Sequence, residues 1–290
     1  MKISVSSYSF SRLVHDGRYS QLDIIAQAKD MGFDGIEFST FILPDGETPA
    51  TFAPKARQEC ERVGIDIVSY TIGADFLAGS NGDLTAEIER VKEEVRVAHI
   101  LGVSKMRHDA TYGFPADYQG QRSFTHALPR LIDGCRAVTE FAASLGIRTM
   151  VENHGFFSQD SERVERLING VNHPNFGALI DMGNFCCVDE NSAIAVGRLA
   201  PYVFHVHAKD FHIKPGIHPA PGEGWFKSRG GNFLRGAIIG HGDIPVTQCL
   251  GIIKQAGYDD WVSIEFEGME DPLTGIRIAL ANLRRFIDEL

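Results

Sequence analysis

Four side chains of metal-ligand type follow short apolar runs in the second half of the chain. They are Glu152, Asp181, His207 and Glu265, at successive spacings of 29, 26 and 58 residues. Three carboxylates and one imidazole gathered in a dry site would repel one another unless a cation neutralised them. Three oxygen donors and one nitrogen favour Mn²⁺ or Mg²⁺ as that cation, with Co²⁺ or Zn²⁺ as alternatives.

The choice of His207 as the nitrogen ligand depends on the direction of its strand. Residues 203–208 read Val-Phe-His-Val-His-Ala, and the period of two places His205 and His207 on the same face. Only the histidine nearer the carboxyl end of the strand reaches the mouth of a parallel barrel. We therefore expect His207 to be the ligand and His205 to be a hydrogen-bonded interior residue.

A divalent ion among carboxylates suits the removal of a proton from a carbon next to a carbonyl group. The negative charge of the resulting enediolate is stabilised by the ion, and a positioned carboxylate base contributes about 10² to 10⁴-fold in rate. The expected substrate is an α-hydroxycarbonyl compound such as a small sugar. Return of the proton gives epimerisation or isomerisation and loss of a β-hydroxyl gives dehydration, and the ligand set does not choose among these outcomes.

The elements that must position these residues alternate regularly between strand and helix. Strand candidates are residues 3–7, 35–38, 65–70, 104–108, 148–152, 176–181, 203–208 and 261–265. Helical segments are residues 21–31, 49–62, 84–101, 123–145, 161–169, 191–199, 244–256 and 272–286. Eight such units predict an α/β fold, a (β/α)8 TIM barrel, as a single domain over residues 1–290. A doubly wound open sheet is the alternative, but no GxGxxG or GxxxxGK[ST] motif follows a strand.

One segment, at about 208–242 after the seventh strand, interrupts this alternation. It is rich in Gly and Pro, and a loop of this length without regular structure is usually functional. Because it follows a strand, we expect it to lie on the face where barrels carry active sites and to cover the substrate. Its Trp225 and Phe226 could close over the substrate or meet a neighbouring subunit, and Arg229 and Arg235 could bind a phosphate or carboxylate group.

Further polar residues lie at or near predicted strand ends. His108 ends the fourth strand, His154 follows Glu152 by two residues, and His241 stands between two glycines that allow close approach of a ligand. We expect these histidines to contact the substrate, although His154 could equally form a hydrogen bond beneath the site. Glu37, at the end of the second strand, is expected to support the substrate site or to form a structural turn.

Composition limits the function classes. Lys and Arg total 28 against 38 Asp and Glu, so the net charge is −10 and nucleic acid is not expected as a partner. No secretory signal or membrane-spanning apolar run is expected, and five cysteines without CxxC spacing fit neither a disulfide framework nor a zinc-thiolate site. We expect a cytoplasmic protein without membrane contact, and assembly into a homodimer or homotetramer is left open.

Several segments together resemble the xylose-isomerase-like TIM barrel superfamily, which includes sugar phosphate isomerases and epimerases. The resemblance spans the barrel in order through Gly32-Phe33-Asp34-Gly35-Ile36-Glu37, Val151-Glu152-Asn153-His154, Leu179-Ile180-Asp181-Met182-Gly183-Asn184, His205-Val206-His207-Ala208-Lys209-Asp210, Gly240-His241-Gly242-Asp243-Ile244 and Ser263-Ile264-Glu265-Phe266-Glu267. The resemblance implies a single divalent ion held by Glu152, Asp181, His207 and Glu265.

The same resemblance implies an activity and its alternatives. In ketose epimerases of the superfamily, the residues corresponding to Glu152 and Glu265 also transfer the proton, which makes them the catalytic pair here. Asn184 stands where ketose epimerases and abasic-site endonucleases usually carry His, and we assign it to substrate binding. The expected function is a metal-dependent isomerase or epimerase of a ketose or keto-polyol. The alternatives are an inosose-type dehydratase, an abasic-site endonuclease and a non-catalytic sugar-binding protein.

Overall fold

The computed structural model describes all 290 residues and confirms the (β/α)8 barrel. Eight parallel strands close in chain order, with the last strand pairing with the first. The barrel strands are β1 (Lys2–Ser6), β2 (Gly35–Phe38), β3 (Asp66–Ile72), β4 (Lys105–His108), β5 (Arg148–Glu152), β6 (Phe176–Asp181), β7 (Val203–Ala208) and β11 (Trp261–Ile264).

Helices form a layer around this barrel, and the apolar core lies between the two layers. The helices are α1 (Ser11–His15), α2 (Asp23–Asp30), α3 (Pro49–Val63), α4 (Leu84–Leu101), α5 (Phe124–Ser144), α6 (Ser161–Val171), α7 (Ser192–Leu199), α8 (Val246–Gln255) and α9 (Pro272–Asp288). Gly64 and Gly102 end α3 and α4 with φ of 71° and 79°, the left-handed conformation that turns the chain back toward the barrel. No helix combines the length and apolar character needed to cross a lipid bilayer.

The segment after β7 differs from the structureless loop expected there. It folds into a three-stranded antiparallel sheet of β8 (Asp210–Lys214), β9 (Phe226–Lys227) and β10 (Phe233–Ala237), in the order β8-β10-β9. The stretch between β8 and β9 carries the prolines and glycines and remains without regular structure. Apolar residues such as Phe211 and Leu234 bury this sheet against the barrel, which explains why the segment is ordered.

Three strand ends differ from prediction, because β1 ends at Ser6, β3 at Ile72 and β11 at Ile264. The change in β3 alters which side chain reaches the barrel mouth. Strand β3 continues past Tyr70 to Ile72, and the Tyr70 hydroxyl donates to Glu94 of α4 at 2.8 Å. Tyr70 therefore faces the helical layer, whereas Thr71 lines the cavity at the mouth. Strand β11 ends at Ile264, so that Glu265 is the first residue beyond it.

Candidate metal centre

The four predicted ligands converge at the carboxyl ends of neighbouring strands. Glu152 and Asp181 end β5 and β6, His207 lies on β7, and Glu265 follows β11. One potential ligand atom from each residue lies within 4.8 Å of the others. Nδ1 of His207 lies 3.2 Å from Glu265, 3.8 Å from Asp181 and 4.0 Å from Glu152. The convergence of three carboxylates on one imidazole nitrogen fits a single divalent ion.

Asp181 supplies an independent sign that the donor set is built for a cation. Its Oδ1 accepts the backbone N–H groups of Gly183 at 2.8 Å and Asn184 at 3.0 Å. Its backbone N–H and carbonyl are both bound by the Asn153 amide, which fixes the end of β6. Oδ2 is buried, accepts no hydrogen bond and faces the cluster, 3.3 Å from the Lys209 ammonium nitrogen. A buried carboxylate oxygen without a hydrogen bond is stabilised by a bound cation.

Glu37 fixes the direction of the His207 ring from inside the barrel. Its Oε1 lies 2.7 Å from Nε2 of His207, and its Oε2 lies 3.0 Å from Nε2 of His205. With Nε2 donating to Glu37, the lone pair of His207 Nδ1 is free for the cluster. Burial by itself would raise the pKa of Glu37, but the charge of His207 and hydrogen bonds from His205 and His207 hold that pKa below its usual value.

This arrangement places Glu37 and His205 in the barrel interior, behind His207. Glu37 is fully buried behind His207 and does not line the cavity, so it supports a ligand and does not contact substrate directly. His205 lies in the barrel interior, where its Nε2 also contacts the Ser263 hydroxyl at 2.9 Å. His205 and His207 share the inward face of β7, and His205 lies deeper in the barrel because it is further from the carboxyl end of the strand.

Arg107 on β4 is a buried cation of the site that the sequence analysis did not predict. Arg107 projects inward, with Nε 2.7 Å from Glu152 and its terminal nitrogens donating to Asp109 at 2.6 Å and to the Ile72 carbonyl at 3.0 Å. Burial tends to raise the pKa of Glu152, the charge of Arg107 opposes this, and the net effect is a raised pKa. The available signal was the spacing of Lys105 and Arg107, because two basic residues two positions apart on a buried strand share its inner face.

Lys209 is the second buried cation of the site. It is 4% exposed, and Nζ lies 2.9 Å from Glu265, 3.3 Å from Asp181 and 3.6 Å from Glu267. Burial would lower the pKa of Lys209, but Asp181 and Glu265 raise it well above its usual value. Lys209 follows His207 by two residues and therefore shares its inward face.

His154 and Asn184 lie at the site in different ways. His154 lines the cavity, and its Nδ1 lies 3.0 Å from the Asp109 carboxylate. Asn184 does not line the cavity and instead bridges two charged groups, donating to Glu152 at 2.9 Å and accepting from Lys209 at 3.2 Å. Asn184 thus positions Glu152, one of the candidate metal ligands, which differs from the direct substrate contact expected of it.

Three further candidates are not brought to the cavity. The His108 ring faces the helical layer between Phe76 and Phe176 and is fully buried, because it has the opposite parity to Arg107 on β4. Burial lowers the pKa of His108 to about 4. His241 is exposed in a turn outside the cavity lining. Arg229 pairs with Asp160. The substrate contacts expected of these three residues are therefore corrected.

The ligand cluster opens into a polar cavity of about 540 Å³. Its walls carry few apolar side chains, and three of the four clustered residues, Glu152, His207 and Glu265, line it together with the two buried cations. The lining residues are Tyr8, Ser11, His15, Ser39, Thr40, Ile42, Thr71, Ile72, Gly73, Arg107, Asp109, Tyr112, Glu152, His154, His207, Lys209, Glu265 and Glu267. A cavity of this size and polarity suits a small hydroxylated molecule.

Comparison with known families identifies the fold family. A family model described as xylose isomerase-like TIM barrel matches residues 25–286. The chain belongs to the xylose isomerase-like TIM barrel family. A comparison of this family member with curated proteins finds no match.

Solved structures similar to this xylose isomerase-like barrel include both epimerases and a dehydratase. An L-ribulose 3-epimerase superposes with a TM-score of 0.73 at 15% identity, covering 100% of this chain and 95% of that chain. The probable 3-DHS dehydratase AsbF from Bacillus anthracis has a TM-score of 0.71 at 18% identity, with 97% and 99% coverage. The 3-keto-D-glucoside 4-epimerase YcjR from E. coli has a TM-score of 0.69 at 17% identity, with 98% and 99% coverage. At these identities the similarity establishes the shared barrel.

Proposed function

We propose that this protein is a divalent-metal-dependent isomerase or epimerase of a sugar or sugar derivative. The observation that carries the proposal is the convergence of Glu152, Asp181, His207 and Glu265 at the base of a polar cavity. These four residues would hold the ion, with Mn²⁺ or Mg²⁺ preferred by the oxygen-rich set. A bound divalent ion would supply stabilisation of the negative charge that develops on substrate oxygens during proton abstraction.

The chain itself supplies two carboxylates for the proton transfer. Glu152 belongs to β5 and Glu265 follows β11, and two barrel strands, β6 and β7, separate them. A substrate between them presents different faces to the two glutamates. One glutamate removes the proton from the carbon beside the carbonyl to give an enediolate, and the other returns a proton from the opposite side. Return to the same carbon inverts its configuration, whereas return to the neighbouring carbon exchanges aldose and ketose.

Other residues hold this pair in position. Arg107 contacts one oxygen of Glu152, and Asn184 donates to the other. Lys209 and His207 hold Glu265 at 2.9 Å and 3.2 Å. Side chains fixed by several partners lose little freedom on binding substrate, which favours a reactive geometry.

A metal-dependent dehydratase is a second candidate, and Glu267 is the observation that favours it. This third carboxylate lines the cavity two residues beyond Glu265 and is not among the four converging ligands. Burial raises the pKa of Glu267 despite the opposing charge of Lys209. A protonated carboxyl group at this position could donate a proton to a departing β-hydroxyl group.

Proton exchange in D₂O tests the proposal. Metal-loaded protein is incubated with ketoses and keto-inositols, and NMR follows deuterium entry at carbons beside the carbonyl and any product formed. We expect exchange with at least one compound, lowered about 10²-fold or more by Glu152→Gln or Glu265→Gln. Glu223→Gln, which removes an exposed carboxylate outside the cavity, is the matched control.

The possible outcomes separate the candidates. Water loss that Glu267→Gln abolishes, without net isomerisation, would favour the dehydratase. Full exchange activity in both Glu152→Gln and Glu265→Gln would contradict the proton-transfer mechanism. Metal binding without exchange for any compound would leave a sugar-binding protein in place of the proposed enzyme.

A further inference from the structure

Much of the cavity lining consists of uncharged residues that carry hydroxyl groups. They include Tyr8, Ser11, Ser39, Thr40 and Tyr112, and the exposed imidazole of His15 lies among them. No lysine or arginine lines the cavity apart from Arg107 and Lys209. A substrate group that points toward the mouth therefore meets hydrogen-bonding partners and no permanent positive charge.

The two permanent cations are already engaged by protein groups. Arg107 contacts Asp109, Glu152 and the carbonyl of Ile72 with three of its nitrogens. The ammonium nitrogen of Lys209 lies within 4 Å of three carboxylates, and the residue is only 4% exposed to solvent. An anionic substrate would have to displace internal carboxylates to reach either cation, and a displaced buried carboxylate is strongly unfavourable.

The formal charge around the cavity also disfavours an anionic substrate. With neutral histidines, five carboxylates, two permanent cations and one divalent ion leave one negative charge in excess when Glu267 is ionised, and no net charge when Glu267 is protonated. The carboxylates are Asp109, Glu152, Asp181, Glu265 and Glu267. In either state a phosphate or carboxylate group would enter a cavity without excess positive charge, in a protein of net charge −10.

Arg229 and Arg235, which follow β7, add no positive charge to the cavity lining. Arg229 forms an ion pair with Asp160 and donates a hydrogen bond to the Phe156 carbonyl, and none of these three residues lines the cavity. The Arg235 guanidinium stacks 5.3 Å from the centre of the Trp225 ring. The expectation that these two residues bind an anionic substrate group is therefore not met by their positions.

From these observations we propose that the substrate is an uncharged polyhydroxylated ketone, a free ketose or cyclic keto-polyol, and that phosphorylated or carboxylated analogues are rejected. This inference rests on the proposed isomerase or epimerase function. The hydroxyl groups of such a substrate would be recognised by the hydroxyl groups of the cavity lining, while its carbonyl end lies toward the ligand cluster.

Matched substrate pairs test the inference. Mn²⁺-loaded protein is given D-fructose, D-ribulose or D-xylulose, each beside its terminal phosphate ester, and deuterium exchange from D₂O is followed by NMR. The expected kcat/KM for exchange is at least about 100-fold higher for the free ketose. Calorimetric binding of the same pairs provides a readout independent of turnover, with the free ketose expected to bind at least about tenfold more tightly.

A cation placed at the rim tests the electrostatic reason. Thr40 is exposed in the cavity lining, so Thr40→Arg adds one positive charge there and Thr40→Gln is the neutral control of similar polarity. We expect Thr40→Arg to raise the phosphate-to-free ketose binding ratio by at least about tenfold, with little change for Thr40→Gln. An equal ratio in the two variants would contradict the charge argument.

The outcomes distinguish this inference from the function on which it rests. Exchange or binding that is equal or better with the phosphate esters would overturn the substrate class and leave the isomerase or epimerase proposal standing. If no compound binds to the metal-loaded protein or exchanges a proton, the proposed function fails and this inference fails with it.

Discussion

His207 is contacted on both sides of its ring by groups with different roles. Glu37 holds Nε2 from inside the barrel, while Nδ1 faces three carboxylates at the mouth. In the metal-free protein, burial would lower the pKa of His207, but Glu37 and Glu265 raise it well above its usual value. A divalent ion must therefore displace a proton from Nδ1, so metal binding is expected to strengthen as pH rises.

The Glu37 contact yields a prediction at the residue scale. Glu37→Gln keeps the shape of the side chain and removes the charge that orients the His207 ring, so metal affinity should fall about 10- to 100-fold. Titration of Mn²⁺ into the metal-free variant measures this change. Glu94→Gln is the control, because the Glu94 carboxylate also accepts a hydrogen bond from a side chain, that of Tyr70, but lies among the outer helices. Unchanged Mn²⁺ affinity in Glu37→Gln would show that the orientation of His207 does not depend on this contact.

Asp109 gives a prediction for the pH dependence of stability. Burial would raise its pKa, but the charge of Arg107 and a hydrogen bond with His154 lower it from 3.8 to about 2. A lowered pKa in the folded state stabilises the protein above about pH 4, and this contribution disappears as pH falls toward 2. The shift corresponds to about 2 kcal/mol for this buried group.

Denaturant unfolding of the wild type and Asp109→Asn measures that contribution. The difference in their free energy of unfolding should narrow by about 2 kcal/mol between pH 5 and pH 2. The exposed Asp117, changed to Asn, serves as the control and should show little difference at any pH. A constant difference between the wild type and Asp109→Asn would argue against the lowered pKa.

At the scale of elements, Asp210 joins the barrel to the turn that precedes α8. It begins β8, and its carboxylate accepts N–H groups from Gly240 at 2.8 Å, Gly242 at 2.9 Å and Ile244 at 3.1 Å. A side chain at Gly242 would collide with this carboxylate and with the carbonyl of Phe211. The glycine-rich turn is therefore needed for close approach to a buried acceptor, and not for ligand binding by His241.

Replacing this acceptor should loosen one turn without unfolding the barrel. We expect Asp210→Asn to lower the free energy of unfolding by about 1 to 3 kcal/mol, because several buried N–H groups lose a charged acceptor. Hydrogen exchange at Gly240, Gly242 and Ile244 should accelerate. Glu223→Gln removes an exposed carboxylate from the same segment and should leave both measurements unchanged. Slow exchange at all three amides in Asp210→Asn would contradict this account.

Sequence patterns predicted elements better than they predicted side-chain direction. The strands could be found because apolar, β-branched runs alternate with helical periods, and glycines such as Gly64 and Gly102 mark the helix ends. Reading the last residue of each strand located Glu152 and Asp181, whose strands end where predicted. On β4 the same rule selected His108, although the inward face belongs to Arg107.

The folded segment after β7 was missed for a different reason. Its prolines and glycines dominate the composition, while the pairing of β8 with β10 joins residues about 20 positions apart and leaves no local periodic signal strong enough to recognise. Asn184 shows a similar limit. Its bridge between Glu152 and Lys209 depends on contacts across three strands, which one sequence does not reveal.

At the scale of the whole molecule, the charge distribution opposes a role on nucleic acid. The net charge is −10, and the cavity carries more carboxylates than cations. A DNA backbone approaching the mouth would meet only two permanent cations in the cavity lining, Arg107 and Lys209, and both are already paired with carboxylates. The abasic-site endonuclease alternative therefore has no electrostatic support from this chain.

A cleavage assay tests this conclusion. A labelled DNA duplex with one abasic site, incubated at low salt with protein loaded with Mg²⁺, Mn²⁺ or Zn²⁺, should remain intact. Low salt favours any electrostatic binding, so a negative result under these conditions is informative. Cleavage by the wild type that is lost in Glu152→Gln would contradict the prediction and restore the nuclease alternative.

The central claim is that four strand-end residues of the barrel hold one divalent ion. Calorimetric titration of Mn²⁺ tests it most directly, using the wild type, Glu152→Gln, Asp181→Asn, His207→Gln and Glu265→Gln, with Glu267→Gln as the control. We predict one ion per chain in the wild type and control, and affinity at least about 100-fold weaker in each ligand variant. A wild type that binds no ion, or four variants that all bind it as tightly as the wild type, would contradict the claim.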